Sequence, residues 1–150
     1  MRAVRLRRGF SLVESLMAVF LVAMCAMVVS ATMPMANRSR LKADLSSKAV
    51  GMAQKQLEAV RGLGYANLTP SQLFARSMID STTPVASDTY SFTNVDSAAL
   101  DNPARILPSG TGQLKVEQVD LDLRRVTVSV AWSENGNNRS FQIGTLVANL

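Results

Sequence analysis

The chain has no histidine and one cysteine, Cys25. That inventory excludes an intrachain disulfide, a Ser-His-Asp triad, a Cys-His dyad and a Cys/His zinc site built from one chain. A length of 150 residues leaves room for one modest domain and a membrane segment. Charge of one sign is also scarce beyond the first eight residues. The net charge is +5, and Arg2, Arg5, Arg7 and Arg8 supply four of the 16 basic residues, leaving 12 basic against 11 acidic from Gly9 on. So nearly neutral a remainder has no electrostatic footprint for DNA or RNA, and nucleic acid is not expected as a partner. With so few groups able to move protons or hold metals, no enzymatic activity and no cofactor are expected.

What the sequence does contain is a long apolar run. From Phe10 to Met33 one charged side chain, Glu14, interrupts 24 residues. At about 1.5 Å per residue such a helix crosses a hydrocarbon core of about 30 Å. The arginines ahead of it are expected to stay cytoplasmic and to place the rest of the chain on the opposite side, a preference that Arg38, Arg40 and Lys42 oppose in part. A cleaved secretory signal has the same basic start and apolar centre, with a small-residue cleavage site near Val29, Ser30 and Ala31. Glu14 counts against it. An acid at the centre of a membrane helix costs about 2.5 to 3.5 kcal/mol on insertion scales, and less near the interface. Glu14 either snorkels to the headgroups or meets a cation supplied by another molecule.

The stretch RRGFSLVESLMAVFLVA resembles the leader and N-terminal segment of type IV prepilins and type II secretion pseudopilins. The match comprises a short basic leader, a glycine, a phenylalanine and a glutamate four positions later, at the head of one uninterrupted apolar helix. The resemblance implies that a membrane-embedded prepilin peptidase cuts between Gly9 and Phe10 and N-methylates Phe10. It implies further that Glu14 meets the Phe10 amine of a neighbouring subunit as the chain passes from bilayer to filament. In low dielectric an unmatched charge is penalised far more than a matched pair, so that contact would set register as well as attract. Removing residues 1–9 also discards the four arginines that would hold the terminus at the cytoplasmic face.

Pro34 lacks a backbone donor and is expected to kink or end the helix. Beyond it, Leu41, Leu45, Ala49, Met52, Val60 and Leu63 recur at helical spacing, with Gln56 at a position where an apolar residue is expected. Asp44, Lys48, Lys55, Glu58 and Arg61 fall mostly on the other side. The pattern predicts an amphipathic helix over 34–63, ending near Gly62 and Gly64. The segment GMAQKQLEAVRGLGYANL is similar to the end of that helix in minor pilins and pseudopilins. The fold class implied is α+β and pilin-like, with a long N-terminal helix, its first half transmembrane, packed on a small antiparallel β-sheet.

Residues 64–112 are rich in Ser, Thr, Asn, Asp and Pro and read as loop with short elements. Thr69, Pro70 and Gln72 suit a helix start, and Tyr90 and Phe92 alternate with polar residues as in a strand. Residues 113–150 read as an antiparallel sheet. Val126, Val128, Val130 and Trp132 alternate with polar or small residues, as do Phe141, Ile143, Thr145 and Val147. A two-residue type I′ turn at Asn135 and Gly136 would pair Glu134 with Asn137, Val130 with Phe141 and Val128 with Ile143. A further strand from Leu114 to Val119 or beyond is expected alongside. VTVSVAW followed by a polar turn and a last strand resembles the C-terminal sheet of the pilus-modification minor pilins and the I-type minor pseudopilins. The chain lacks the two distal cysteines of many major pilins, which favours a minor subunit.

Two weaker signals read as structural. The pairs Asp96 with Asp101 and Asp120 with Asp122 lack calcium-ligand spacing, and no metal is expected. Trp132 opposite Arg139 has the placement for a cation–π contact, but a lone tryptophan at a hairpin end usually packs. The expectation is a bitopic bacterial inner-membrane precursor with its C-terminal domain periplasmic, matured by prepilin peptidase cleavage and methylation. It would join other pilins or pseudopilins and an inner-membrane assembly platform in a periplasmic or extracellular filament. The alternatives are a major filament subunit, a pilin-like DNA-uptake or adhesin module, and a secreted protein with a cleaved signal.

Overall fold

The computed structural model describes residues 11–95, 97 and 99–149. Its elements run, in chain order, α1 (Leu12–Leu63), a 3₁₀ turn (Tyr65–Asn67), α2 (Pro70–Ala75), β1 (Thr89–Ser91), α3 (Pro103–Ile106), β2 (Thr111–Asp120), β3 (Leu123–Glu134) and β4 (Asn137–Ala148). The fold is α+β, a long N-terminal helix with a four-stranded antiparallel sheet, and so has the pilin-like arrangement expected. The described residues fall into two units, divided between Leu41 and Lys42.

In the first unit the described residues belong almost entirely to α1, and their apolar side chains are exposed, from Leu12 and Val13 to Met33 and Met35. α1 is long and apolar enough in this region to cross a membrane. Pro34 lies inside the helix and does not end it. It removes one main-chain donor from a 52-residue ladder, and the helical turns on either side carry the chain across the gap. The hydroxyl of Thr32 adds local bonds, donating to the carbonyls of Val28 at 3.2 Å and Val29 at 3.1 Å.

In the second unit, residues 42–63 of α1 bury one face: Ala49, Met52, Ala53, Gln56, Leu57, Val60 and Leu63. Leu45 packs at its margin, but Leu41 is 65% exposed, so the buried stripe is shorter than the apolar spacing suggests. Gly64, at φ 72°, ends the helix in a conformation that other residues adopt at a cost. Arg61 in the last turn complements the macrodipole.

The sheet order is β1-β2-β3-β4, all antiparallel. The β3–β4 register is the one the turn chemistry predicts: Glu134 opposite Asn137, Val130 opposite Phe141, Val128 opposite Ile143. Asn135 (φ 50°) and Gly136 (φ 79°) both have positive φ, as a type I′ turn requires. Leu114, Val126, Val128, Val130 and Trp132 point into the core with the helical face, and Leu73, Ile79, Phe92 and Leu107 complete it. The expected helix start is present, with Thr69 Oγ1 accepting from the Gln72 N–H at 3.4 Å ahead of Pro70. The strand expected around Tyr90 and Phe92 is β1, and Phe92 follows its last residue, buried.

The two sheet edges differ. Phe92 N–H donates to the Gly112 carbonyl and Val116 N–H to the Asp88 carbonyl, so Thr89 and Ser91 turn their main-chain groups away from β2. The preceding loop occupies that side. Thr89 donates to Ala86 and accepts from Val85, and the Ser91 carbonyl accepts from the Asp80 N–H at 2.7 Å. β4, twelve residues long, pairs only with β3 among the described residues.

Candidate functional site

Glu14 is the third residue of α1 and sits in its first turn, where the uncapped N–H groups and the macrodipole favour a negative charge. It is exposed, and among the described residues it has no hydrogen-bond or ion-pair partner. From there to Arg38 no other side chain on the helix is charged. Around and beyond Glu14 the surface is apolar and bare: Leu16, Met17, Val19 and Phe20 are each more than half exposed. Exposed apolar surface of this extent is rare on soluble monomers and is compatible with a membrane-spanning segment. Chemically, the arrangement offers one exposed carboxylate, unpaired among the described residues, at the head of an apolar stretch of helix. Gly9 and Phe10, where the resemblance implies cleavage and methylation, lie outside the described residues.

The second unit has a polar framework that the sequence leaves hidden. Gln56, 1% exposed, donates from Nε2 to the Met78 carbonyl at 2.7 Å. A glutamine thus stands in the apolar stripe to satisfy a buried main-chain group of the loop after α2. Arg124 of β3 donates from Nη1 to the carbonyls of Leu68 at 2.8 Å and Tyr65 at 3.3 Å, and its guanidinium lies 4.5 Å from the Tyr65 ring centroid. Tyr65 in turn donates its hydroxyl to the Leu121 carbonyl at 2.6 Å. These contacts fasten the exit of α1 to the β2–β3 turn. Asp80 accepts from Ser91 Oγ at 2.6 Å and from the Asn94 N–H at 3.0 Å, tying the loop to β1.

Arg139 does lie opposite Trp132, but its guanidinium is directed to Glu134, at 3.8 Å, and Glu134 also receives Lys42 at 3.1 Å. Trp132 is 6% exposed and belongs to the core, the packing role expected of it, while the cation–π contact is made by Arg124 over Tyr65. Of the carboxylates weighed for calcium, Asp101 pairs with Lys55 at 2.6 Å, Asp120 accepts from the Leu121 N–H and Asp122 from Asn149. Asp96 lies outside the described residues. Among the described residues no three His, Cys, Asp or Glu side chains converge.

A cleft of about 330 Å³ is lined by Leu68, Pro70, Asp88, Tyr90, Gln118 and Arg124. The Arg124 fork is already engaged with two carbonyls there. A second, of about 380 Å³, runs beside Gly51 between Lys48 and Lys55, and both lysines are paired with aspartates. Comparison of the chain with protein-family models, with curated proteins and with solved structures finds no match.

Proposed function

We propose that the chain is a minor pilin or minor pseudopilin, a non-enzymatic assembly subunit of a type IV pilus or type II secretion pseudopilus. The observation that carries this reading is Glu14. It is the lone charge in the apolar, exposed stretch of α1 that precedes Arg38, five residues after the glycine that closes an arginine-rich leader. A prepilin peptidase and methyltransferase would cut between Gly9 and Phe10 and methylate the new terminus. The chain would stand in the bacterial inner membrane with residues 42–150 in the periplasm, and then join other pilins or pseudopilins through α1 at an assembly platform.

Charge explains why maturation would precede assembly. Cleavage discards four arginines and creates one cation, the Phe10 amine, where a neighbour's Glu14 can reach it. An unmatched carboxylate in an apolar surround is penalised far more than a paired one, so a misregistered helix would bear that penalty. The helix surface between Leu12 and Met35 supplies the apolar contact and Glu14 the register.

The test is Glu14→Ala beside Glu14→Gln in the full chain, scored for membrane insertion, loss of residues 1–9 and incorporation into filaments. Insertion and cleavage should persist in both, and incorporation should fall in both because each lacks the charge. Normal incorporation of Glu14→Ala would contradict the pairing mechanism.

A further inference from the structure

The sheet closes one of its edges and leaves the other open. At β1 three of the four outward main-chain groups of Thr89 and Ser91 are taken up: the Thr89 N–H by Ala86, the Thr89 carbonyl by Val85 and the Ser91 carbonyl by Asp80. At β4 the alternation runs the other way. Glu134 and Asn137 close the two-residue turn as a bonded pair, so the odd-numbered residues of β4 bond to β3. Asn138, Ser140, Gln142, Gly144 and Leu146 therefore turn their N–H and C=O groups outward. Among the described residues no main-chain or side-chain group takes them.

Exposed edges in soluble domains are commonly blunted by lysine, proline, a bulge, an inward charge or short length. β4 is twelve residues long, has no proline, lysine or acid, and pairs in continuous register without a bulge. Its one charge is Arg139, held only at 3.8 Å by Glu134 and 58% exposed. We infer that the outer edge of β4, from Asn138 to Leu146, receives an extended strand from a different membrane-anchored subunit, joined to it by main-chain hydrogen bonds; this rests on the filament-subunit reading.

The geometry argues against a second copy as the occupant. A copy displaced sideways in the same orientation would present its β1, which is three residues long and has three of its four outward main-chain groups already bonded. A two-fold axis normal to the sheet would pair β4 with β4 antiparallel, but it would run the two α1 segments 42–63 in opposite directions, whereas chains anchored by the same helix enter a membrane the same way. A two-fold axis along the strands would set the apolar face of one sheet beside the polar face of the other. A different subunit in the same orientation, with an open first strand, meets none of these obstacles. Its strand would run antiparallel to β4, since β1 and β4 of a four-stranded meander are antiparallel. It would carry apolar residues on the side that continues Phe141, Ile143 and Val147, and a carboxylate at the end beside Arg139.

The experiment places the photo-crosslinking residue p-benzoylphenylalanine at Leu146, on the edge, or at Ser129, on the outer face of β3, in full-length protein in its own cells. Adducts are then mapped by mass spectrometry. The expected result is an adduct from Leu146 to a strand of a different single-pass chain, with little from Ser129. Gln142→Pro removes an outward N–H that β3 does not use and should abolish the adduct while the level in the membrane and Trp132 emission are unchanged. Ser140→Lys leaves every main-chain group in place and should reduce the adduct even if the proline variant misfolds. Adducts only to a second copy or to lipid, or an adduct that survives both substitutions, would overturn the inference. Failure of the filament reading looks different: the wild-type chain would never associate with filaments and Glu14→Ala would change nothing. If only the edge inference fails, Glu14→Ala blocks incorporation and Leu146 yields no such adduct.

Discussion

Gln56 and Met78, 22 residues apart in the chain, meet through a single hydrogen bond of 2.7 Å in which the side-chain amide of α1 satisfies a main-chain carbonyl of the loop after α2. Both residues are buried. The contact turns the one polar interruption of the helical stripe into a clamp on the loop after α2.

Replacing Gln56 with Leu should keep the volume and orphan the carbonyl, at a cost of about 1 to 3 kcal/mol. Urea unfolding of the full chain in detergent, followed by emission of Trp132, the sole tryptophan, would read it. Gln54→Ala, two residues away and exposed, should stay within about 0.5 kcal/mol of the parent.

Arg124 and Asp101 each join distant segments, and they should differ in weight. Arg124→Ala loses two partly buried bonds to carbonyls and the Tyr65 contact, which should cost about 1.5 to 3 kcal/mol. Asp101→Asn breaks a pair whose side chains are 35% and 56% exposed, and should cost less than about 1 kcal/mol, with most of that screened by salt. The same unfolding assay ranks them, and an equal loss would contradict the burial argument.

A Cβ added to Gly112 would stand 2.4 Å from Cε2 of Phe92, a core residue that is 2% exposed. Gly112→Ala should therefore destabilise by about 1 to 3 kcal/mol through overpacking. Phe92→Leu should cost less in that background than alone, because the two changes share one space. Strict additivity in a double-mutant cycle would refute the clash.

These residues also mark where the sequence was legible. The β3–β4 register followed from Asn135–Gly136 and two alternating runs because a two-residue turn leaves one pairing that puts both apolar sets on one face. The cap at Thr69 was local and readable for the same reason. Gln56 was visible as an anomaly in the stripe, but its partner was not, since nothing local to Met78 asks for a donor. Arg124 and Asp80 gave no signal at all: their partners lie in segments that only the folded chain brings near. Pro34 carried a local rule that allowed either a kink or a stop, and a helix with long runs on both sides passes through it. The open edge of β4 was implicit in the absence of charge along the last strand, yet it becomes an edge only once the strand order is known.

The state of the N-terminus separates a matured filament subunit from its alternatives most directly, and intact-mass measurement of the chain extracted from the membranes of its own cells reads it. The proposal requires a polypeptide that has lost residues 1–9 and starts at a methylated Phe10. A chain that keeps its arginine leader, or one that starts near residue 31 after removal of the apolar segment, would contradict it.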